Sequence, residues 1–222
     1  LPVRLLQTVL LSALLALSPA AWADATELSA QEVVTAVEAT YKDVTAMSAD
    51  FVQVTRSDLG ETRQQGLVQL KRPRMMRWDF AEPATSFITD GSQLWVWAAA
   101  ENQVIVTEDF SAGSGSSDMS QLLTDLSKLS ELFDVQQLSQ GGEDTGTSYT
   151  LELTPKTPTA FKQLQIVVAR DGYTLQRVVM VDSFDGVVEL DFSQVRLNPE
   201  IADNQFTFSI PEGATVIRTD GI

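Results

Sequence analysis

From Asp50 onward this chain is built of short segments in which apolar and polar residues alternate, each closed by a turn signal. Alternation at period two puts the apolar side chains on one face, so each segment reads as a half-buried β-strand. "DFVQVTR" (50–56) runs into the turn "DLGE", "GLVQLKR" (66–72) ends at Pro73, and "MMRWDF" (75–80) alternates throughout. "SFIT" (86–89) and "LWVW" (94–97) flank the hairpin loop "DGSQ", and "NQVIVT" (102–107) follows. Further strands are predicted at 133–138, 148–153, 161–169, 173–181, 187–197 and 206–210, with "GGEDTG", "RDG" and "SFDG" among the turns. Such short turns join antiparallel neighbours, because a parallel pair needs a crossover of a dozen or more residues. The expected fold is mainly β with some α: about 11 antiparallel strands in one strongly curved or barrel-like sheet.

One helical segment precedes this series and a second interrupts it. In the first, 29–42, Ser29 and Glu32 have capping-box spacing, and Leu28 and Val33 sit where a hydrophobic staple would. Val33, Val34, Val37 and Tyr41 then form an apolar stripe at helical spacing. The second begins near Met119, after the small-residue loop "SAGSGSS" (111–117), with Asp118 as N-cap. Its apolar face carries Met119, Leu122, Leu123, Leu126 and Leu129. A closed barrel needs no Leu-rich helix inserted through a Gly/Ser loop, so this insertion predicts a plug or lid.

The first 23 residues stand apart from the fold. Arg4 is a short positive start, Leu5–Leu17 is apolar but short for a membrane span, and Ala21–Trp22–Ala23 is a small-x-small cleavage signal. Residues 1–23 are therefore expected to be a secretory signal peptide and 24–222 a single exported domain. No second apolar run of membrane length follows, which predicts a soluble mature protein. Without Arg4 the formal charge moves from −15 to −16. Such a surface is repelled by nucleic acid and by anionic lipid; equally, the charge can serve solubility alone. The chain has no cysteine and no histidine. It therefore has no disulfide, no lipid-bearing cysteine, no Ser-His-Asp or Cys-His catalysis and none of the usual zinc sites. Adjacent Met75 and Met76 without a wider Met repeat do not make a copper site. No cofactor and no metal is expected.

Against the acidic background, "LKRPRMMRWDF" (70–80) packs Lys71, Arg72, Arg74 and Arg77 into seven positions. Alternation puts Lys71, Arg74 and Arg77 on the solvent side and Met76, Trp78 and Phe80 together on one face. Arg72 shares its face with Val68 and Leu70. A guanidinium there needs oxygen acceptors, because it cannot shed its proton. Two readings stand: it snorkels from the strand end to a surface acid, or it meets carbonyls left free at a helix end. The spread of aromatics (Phe51, Trp78, Phe80, Phe87, Trp95, Trp97, Tyr149, Phe161 and Phe192) fits either a filled core or a greasy cavity under the sheet.

The pieces "SADFVQ", "GLVQLKRPRMMRW", "EPATSFITDGSQLWVW", "LTPKTP", "FKQLQIVVARDG" and "NQFTFSIPEGATVI", in this order and spacing, resemble the LolA family of periplasmic outer-membrane lipoprotein carriers. The resemblance covers essentially all of the chain after residue 23. It implies an unclosed antiparallel half-barrel whose concave apolar face is covered by lid helices. It implies acyl-chain binding there, expected at Val68, Leu70, Met76, Trp78, Phe80, Phe87 and Trp95 under Leu122, Leu126 and Leu129 of the lid. The family's latch lies in its "KRP" element, which places it on Arg72, donating to lid backbone carbonyls. The implied partners are acylated lipoproteins, an inner-membrane lipoprotein-releasing ABC transporter and an outer-membrane lipoprotein receptor, met by a monomer in the periplasm. Two other classes compete with this one. A lipid-sensing periplasmic regulator of the same fold usually carries a further domain. A carboxylate enzyme would use "DSFDG" (182–186), which reads better as a hairpin turn.

Overall fold

The computed structural model describes residues 27–108, 110, 122–123, 126–138, 146–157 and 161–220. The expected leader, the Gly/Ser loop, Asp118 and Met119 lie outside them. Helix α1 (Ala30–Tyr41) begins as the sequence predicts. Ser29 Oγ accepts from the Glu32 amide at 3.4 Å, and Glu32 Oε2 accepts from the Ser29 amide at 2.8 Å. The Ser29 hydroxyl and amide hold the Glu32 carboxyl below its usual range. Val33, Val34, Val37 and Tyr41 are the buried face of this helix.

Twelve strands follow: β1 (Ala46–Ser57), β2 (Gly60–Lys71), β3 (Met75–Phe80), β4 (Thr85–Thr89), β5 (Leu94–Ala98), β6 (Gln103–Glu108), β7 (Phe133–Gln137), β8 (Ser148–Pro155), β9 (Phe161–Ala169), β10 (Leu175–Asp182), β11 (Val187–Leu197) and β12 (Thr215–Asp220). They form one sheet in the order β12-β6-β5-β4-β3-β2-β1-β11-β10-β9-β8-β7. Nothing among the described residues joins β12 to β7, so the barrel is left unclosed. The hairpins pair antiparallel as expected, and the long β1–β2 and β1–β11 ladders form the middle of the sheet. Only Gly fits at position 66: a Cβ there would sit 1.9 Å from the Asp79 carbonyl oxygen on β3.

One face of the sheet carries the main core, which runs from β1–β3 through β8–β11 to α1. Phe51 packs edge-on against Trp78 at 4.9 Å and Phe80 at 5.1 Å, and Phe80 meets Phe87 at 5.8 Å. The other face is covered differently from the sequence expectation. The strand predicted at 206–210 is absent; Asp203–Phe206 is a 3-10 turn, and the last strand is β12, parallel to β6. Residues 198–214 instead form a strap across the outer face. Phe206 is fully buried beside Ala46, Ile201 and Met75, while Phe208 and Ala214 pack on Ile88, Trp95, Val104 and Val106. The alternation of Phe206 and Phe208 thus reflects burial of aromatic side chains against a sheet, without ladder pairing.

The strap also explains two of the cations. Lys71 Nζ donates to the Ile201 carbonyl at 2.7 Å and to Asp203. Arg77 donates to Asp79 at 2.6 Å and to the Gln205 carbonyl at 3.1 Å. Both point away from the main core, as alternation predicts, yet they fasten chain instead of standing in solvent. Arg74 is exposed.

Candidate functional site

Over the main core lies a small helical cover. Leu122 and Leu123 are helical, Leu126–Lys128 is a turn of 3-10 helix, and Leu129–Leu132 (α2) is a single α turn. The expected continuous helix is broken at Lys128, whose φ of −132° and ψ of 26° leave helical geometry. The apolar period survives the break: Leu122, Leu123, Leu126 and Leu129 are all buried. One turn has little stability alone, since helix nucleation is unfavourable, so its anchors matter. Glu38 of α1 accepts from the Ser130 amide and hydroxyl, each at 2.7 Å, satisfying a donor at the start of α2. At the other side Lys156 Nζ donates to the Ser130 carbonyl at 2.7 Å, and its amide to the Leu132 carbonyl at 3.0 Å.

Arg72 stands where this cover meets the sheet. β2 ends at Lys71, the Arg72 amide donates to the Thr45 carbonyl at 2.8 Å, and Arg72–Pro73 opens the turn into β3. The half-buried guanidinium turns to the same side as Val68 and Leu70, and its Nη2 donates to Ser127 Oγ at 3.2 Å. Ser127 belongs to the cover, so the contact bridges sheet and lid. The Ser127 hydroxyl is one partner of this guanidinium, on the same cover whose backbone carbonyls were expected to accept. Tyr41, Val44, Met47, Leu70, Arg72 and Leu123 line a small cleft of about 20 Å³ that opens to solvent beside this contact. Tyr41 is fixed in place there: its hydroxyl accepts from the Leu175 amide at 2.9 Å, and burial pushes the phenol up despite that bond.

Of the residues expected to bind acyl chains, Val68, Leu70, Met76, Trp78, Leu122, Leu126 and Leu129 lie in one core, with Phe80 and Phe87 packed against it. Trp95 does not join them. It pairs with Ile88 across β4–β5, on the opposite face from Phe87, and packs under the strap with Val104 and Val106. The residue facing inward next to it is Val96. Phe87, Val96, Ile105 and Ile217 are successive partners across β4, β5, β6 and β12, which extends the apolar row beyond Trp78 to the sheet edge. Along it burial falls from Trp78, 7 % exposed, to Ile217, 43 % exposed. The opposite half of the core, with Leu151, Leu153, Leu164, Ile166 and Val178, was also not singled out in the sequence, although each sits in an alternating segment.

No group of three His, Cys, Asp or Glu able to hold a metal occurs among the described residues. The "DSFDG" carboxylate of Asp182 caps its own turn, accepting from the amides of Phe184 at 2.7 Å and Gly186 at 2.8 Å. No helix among the described residues is long and apolar enough to cross a membrane.

Known proteins match this arrangement. A protein of Methylobacillus flagellatus named outer-membrane lipoprotein carrier protein is 30 % identical over 83 % of this chain and 88 % of its own length. A protein of the same name from Hahella chejuensis is 29 % identical over 91 % of this chain and 96 % of its own. An uncharacterised conserved protein from Thermus thermophilus shares the fold, with a TM-score of 0.54 at 15 % identity, covering 86 % of this chain and 99 % of that one. The family described as outer membrane lipoprotein carrier protein LolA matches residues 42–209, and the chain belongs to that family.

Proposed function

We propose that this protein carries outer-membrane lipoproteins through the periplasm, with their acyl chains held against the apolar face that the lid covers. The carrying observation is a deep apolar face closed by a small cover, joined to the sheet by a polar contact at Arg72. Magnitudes favour exchange of cover for cargo. Four buried lid leucines contribute gross burial of about 6–12 kcal/mol. Three acyl chains with roughly 40 methylenes represent about 30 kcal/mol at ~0.8 kcal/mol each. The cleft of about 20 Å³ has room for about one water molecule, far less than a ligand needs, so loading requires the lid to leave. A bilayer offers the chains the same gain, so release works by contact with an acceptor and needs a lid that returns.

In this reading Arg72 latches the empty carrier, and Val68, Leu70, Met76, Trp78, Phe80 and Phe87 meet the chains once Leu122, Leu126 and Leu129 withdraw. A monomer would take cargo from an inner-membrane lipoprotein-releasing ABC transporter and pass it to an outer-membrane receptor; it performs no covalent chemistry. Isolation from the periplasm under native conditions, followed by mass spectrometry of the intact complex, tests this. Bound triacylated lipoproteins are expected. Free lipid alone would sink the proposal in favour of a lipid-sensing role.

A further inference from the structure

Two hairpin tips carry the most exposed large apolar side chains among the described residues: Leu59 is 100 % exposed and Phe184 89 %. Leu59 tops the β1–β2 turn and Phe184 the β10–β11 turn. β1 and β11 are neighbours, paired as far as Arg56 and Val187, so the tips stand side by side at one end of the sheet. Surface apolar residues are ordinarily scattered singly, and a pair this exposed is not explained by packing. The pair is also braced. Arg56 Nε donates to Glu61 on β2 at 2.7 Å and its Nη1 to Glu189 on β11 at 2.5 Å, so one guanidinium ties both hairpins together. Asp182 holds the amide of Phe184 itself, and Lys162 pairs with Asp185 in the same turn. Hairpin backbones held in place before contact lose less freedom on binding.

Charge selects among occupants. Segments 56–63 and 182–189 carry Asp58, Glu61, Asp182, Asp185 and Glu189 against Arg56, Arg63 and the neighbouring Lys162, an acidic excess in a chain of net charge −15. Acids around the tips repel an anionic bilayer, and a second copy would bring the same acids. They suit a protein face with an apolar socket rimmed by lysine and arginine. Gly60 and Lys71 are the two ends of twelve-residue β2. At ~3.3 Å per residue the tips stand roughly 40 Å from the latch, so such a partner engages the end of the carrier away from Arg72.

We propose that Leu59 and Phe184 form a two-point docking surface for a membrane-anchored protein with a basic-rimmed apolar socket. The membrane anchoring rests on the carrier reading, since cargo must be collected from or given to a membrane.

The test places a photo-crosslinking phenylalanine at 59, at 184 and, as control, at 62 on the neighbouring exposed strand, in the full chain in living cells. One membrane protein trapped from both tips and not from the control is expected. The double variant Leu59→Asp/Phe184→Asp should cut that crosslinking and lipoprotein delivery at least tenfold, while lipoproteins still copurify with it. The milder Leu59→Ser/Phe184→Ser should do the same in smaller measure with unchanged thermal stability. Crosslinks only to lipid or to a second copy, no crosslinks, or normal delivery by both variants would overturn the docking surface. If the unaltered protein carries no lipoprotein, the carrier reading fails instead, whatever the tips bind.

Discussion

A guanidinium that cannot lose its proton must find oxygen wherever the fold leaves it, and Arg72 finds it on Ser127. Hydrogen bonds to charged groups contribute about 1.5–3 kcal/mol, so removing this one should move the lid roughly ten- to hundredfold toward open. Arg72→Leu is therefore expected to bind lipoprotein at least as well as the unaltered protein and to deliver it at least tenfold more slowly; normal transfer to acceptor membranes would refute the latch. Tyr41 offers a contrast, because its role is structural. Tyr41→Phe strands the buried Leu175 amide and should cost about 1–3 kcal/mol in denaturant unfolding, with cargo specificity unchanged. At this scale alternation put Arg72 on the face of Val68 and Leu70, but it left a surface acid and helix-end carbonyls both open as partners, and only the family resemblance pointed to the lid. The placement of Trp95 was not legible: alternation puts Trp95 and Trp97 on one face, but which face is inner depends on the Ile88–Trp95 register, a tertiary fact.

Elements differ in how openly they announce themselves. α1 is written in its capping box and stripe, and the strands in their alternation and turns. The lid could be recognised by its leucines but not by its shape, since a backbone break at Lys128 leaves the apolar period intact. The strap misled because Phe206 and Phe208 mimic a strand while packing on the sheet's outer surface. Lys71 and Arg72 join these two covers to one stretch of chain, Lys71 holding the strap on one face and Arg72 the lid on the other. Only the lid side should bear on cargo. Phe206→Ala empties a fully buried site and is expected to cost about 3–5 kcal/mol in stability. At temperatures where the variant stays folded, its lipoprotein binding should be unchanged. A loss below about 1 kcal/mol would mean the strap is not held by this side chain.

The unclosed twelve-stranded sheet gives one molecule two covered faces, one covered by a strap and the other by a lid, and the proposed mechanism releases only the lid. A pH trigger for that release is one candidate, and the whole chain argues against it near neutrality. There is no histidine, the side chain whose ordinary titration falls between about pH 5 and 8. Among the described residues, the groups whose titration is shifted lie outside that window. Glu32 is held low by Ser29. Burial raises Asp90, but the amides of Gln93 and Ser92 and the Ser92 hydroxyl outweigh it, so its carboxyl is also low. A carboxyl lowered on folding lends stability above its unfolded value and loses it as pH falls through the folded one, so both contributions vanish only in acid. Tyr41 is raised above 10.0 by burial, so its contribution is whole below that value and is lost only as pH climbs through the folded pKa. Thermal midpoints and lipoprotein retention should therefore be flat between about pH 6 and 8, with stability declining in acid below about pH 4 and again in strong alkali. Retention that changed severalfold across neutrality would point to a protonation-driven release. Constant retention leaves contact with an acceptor as the step that empties the carrier.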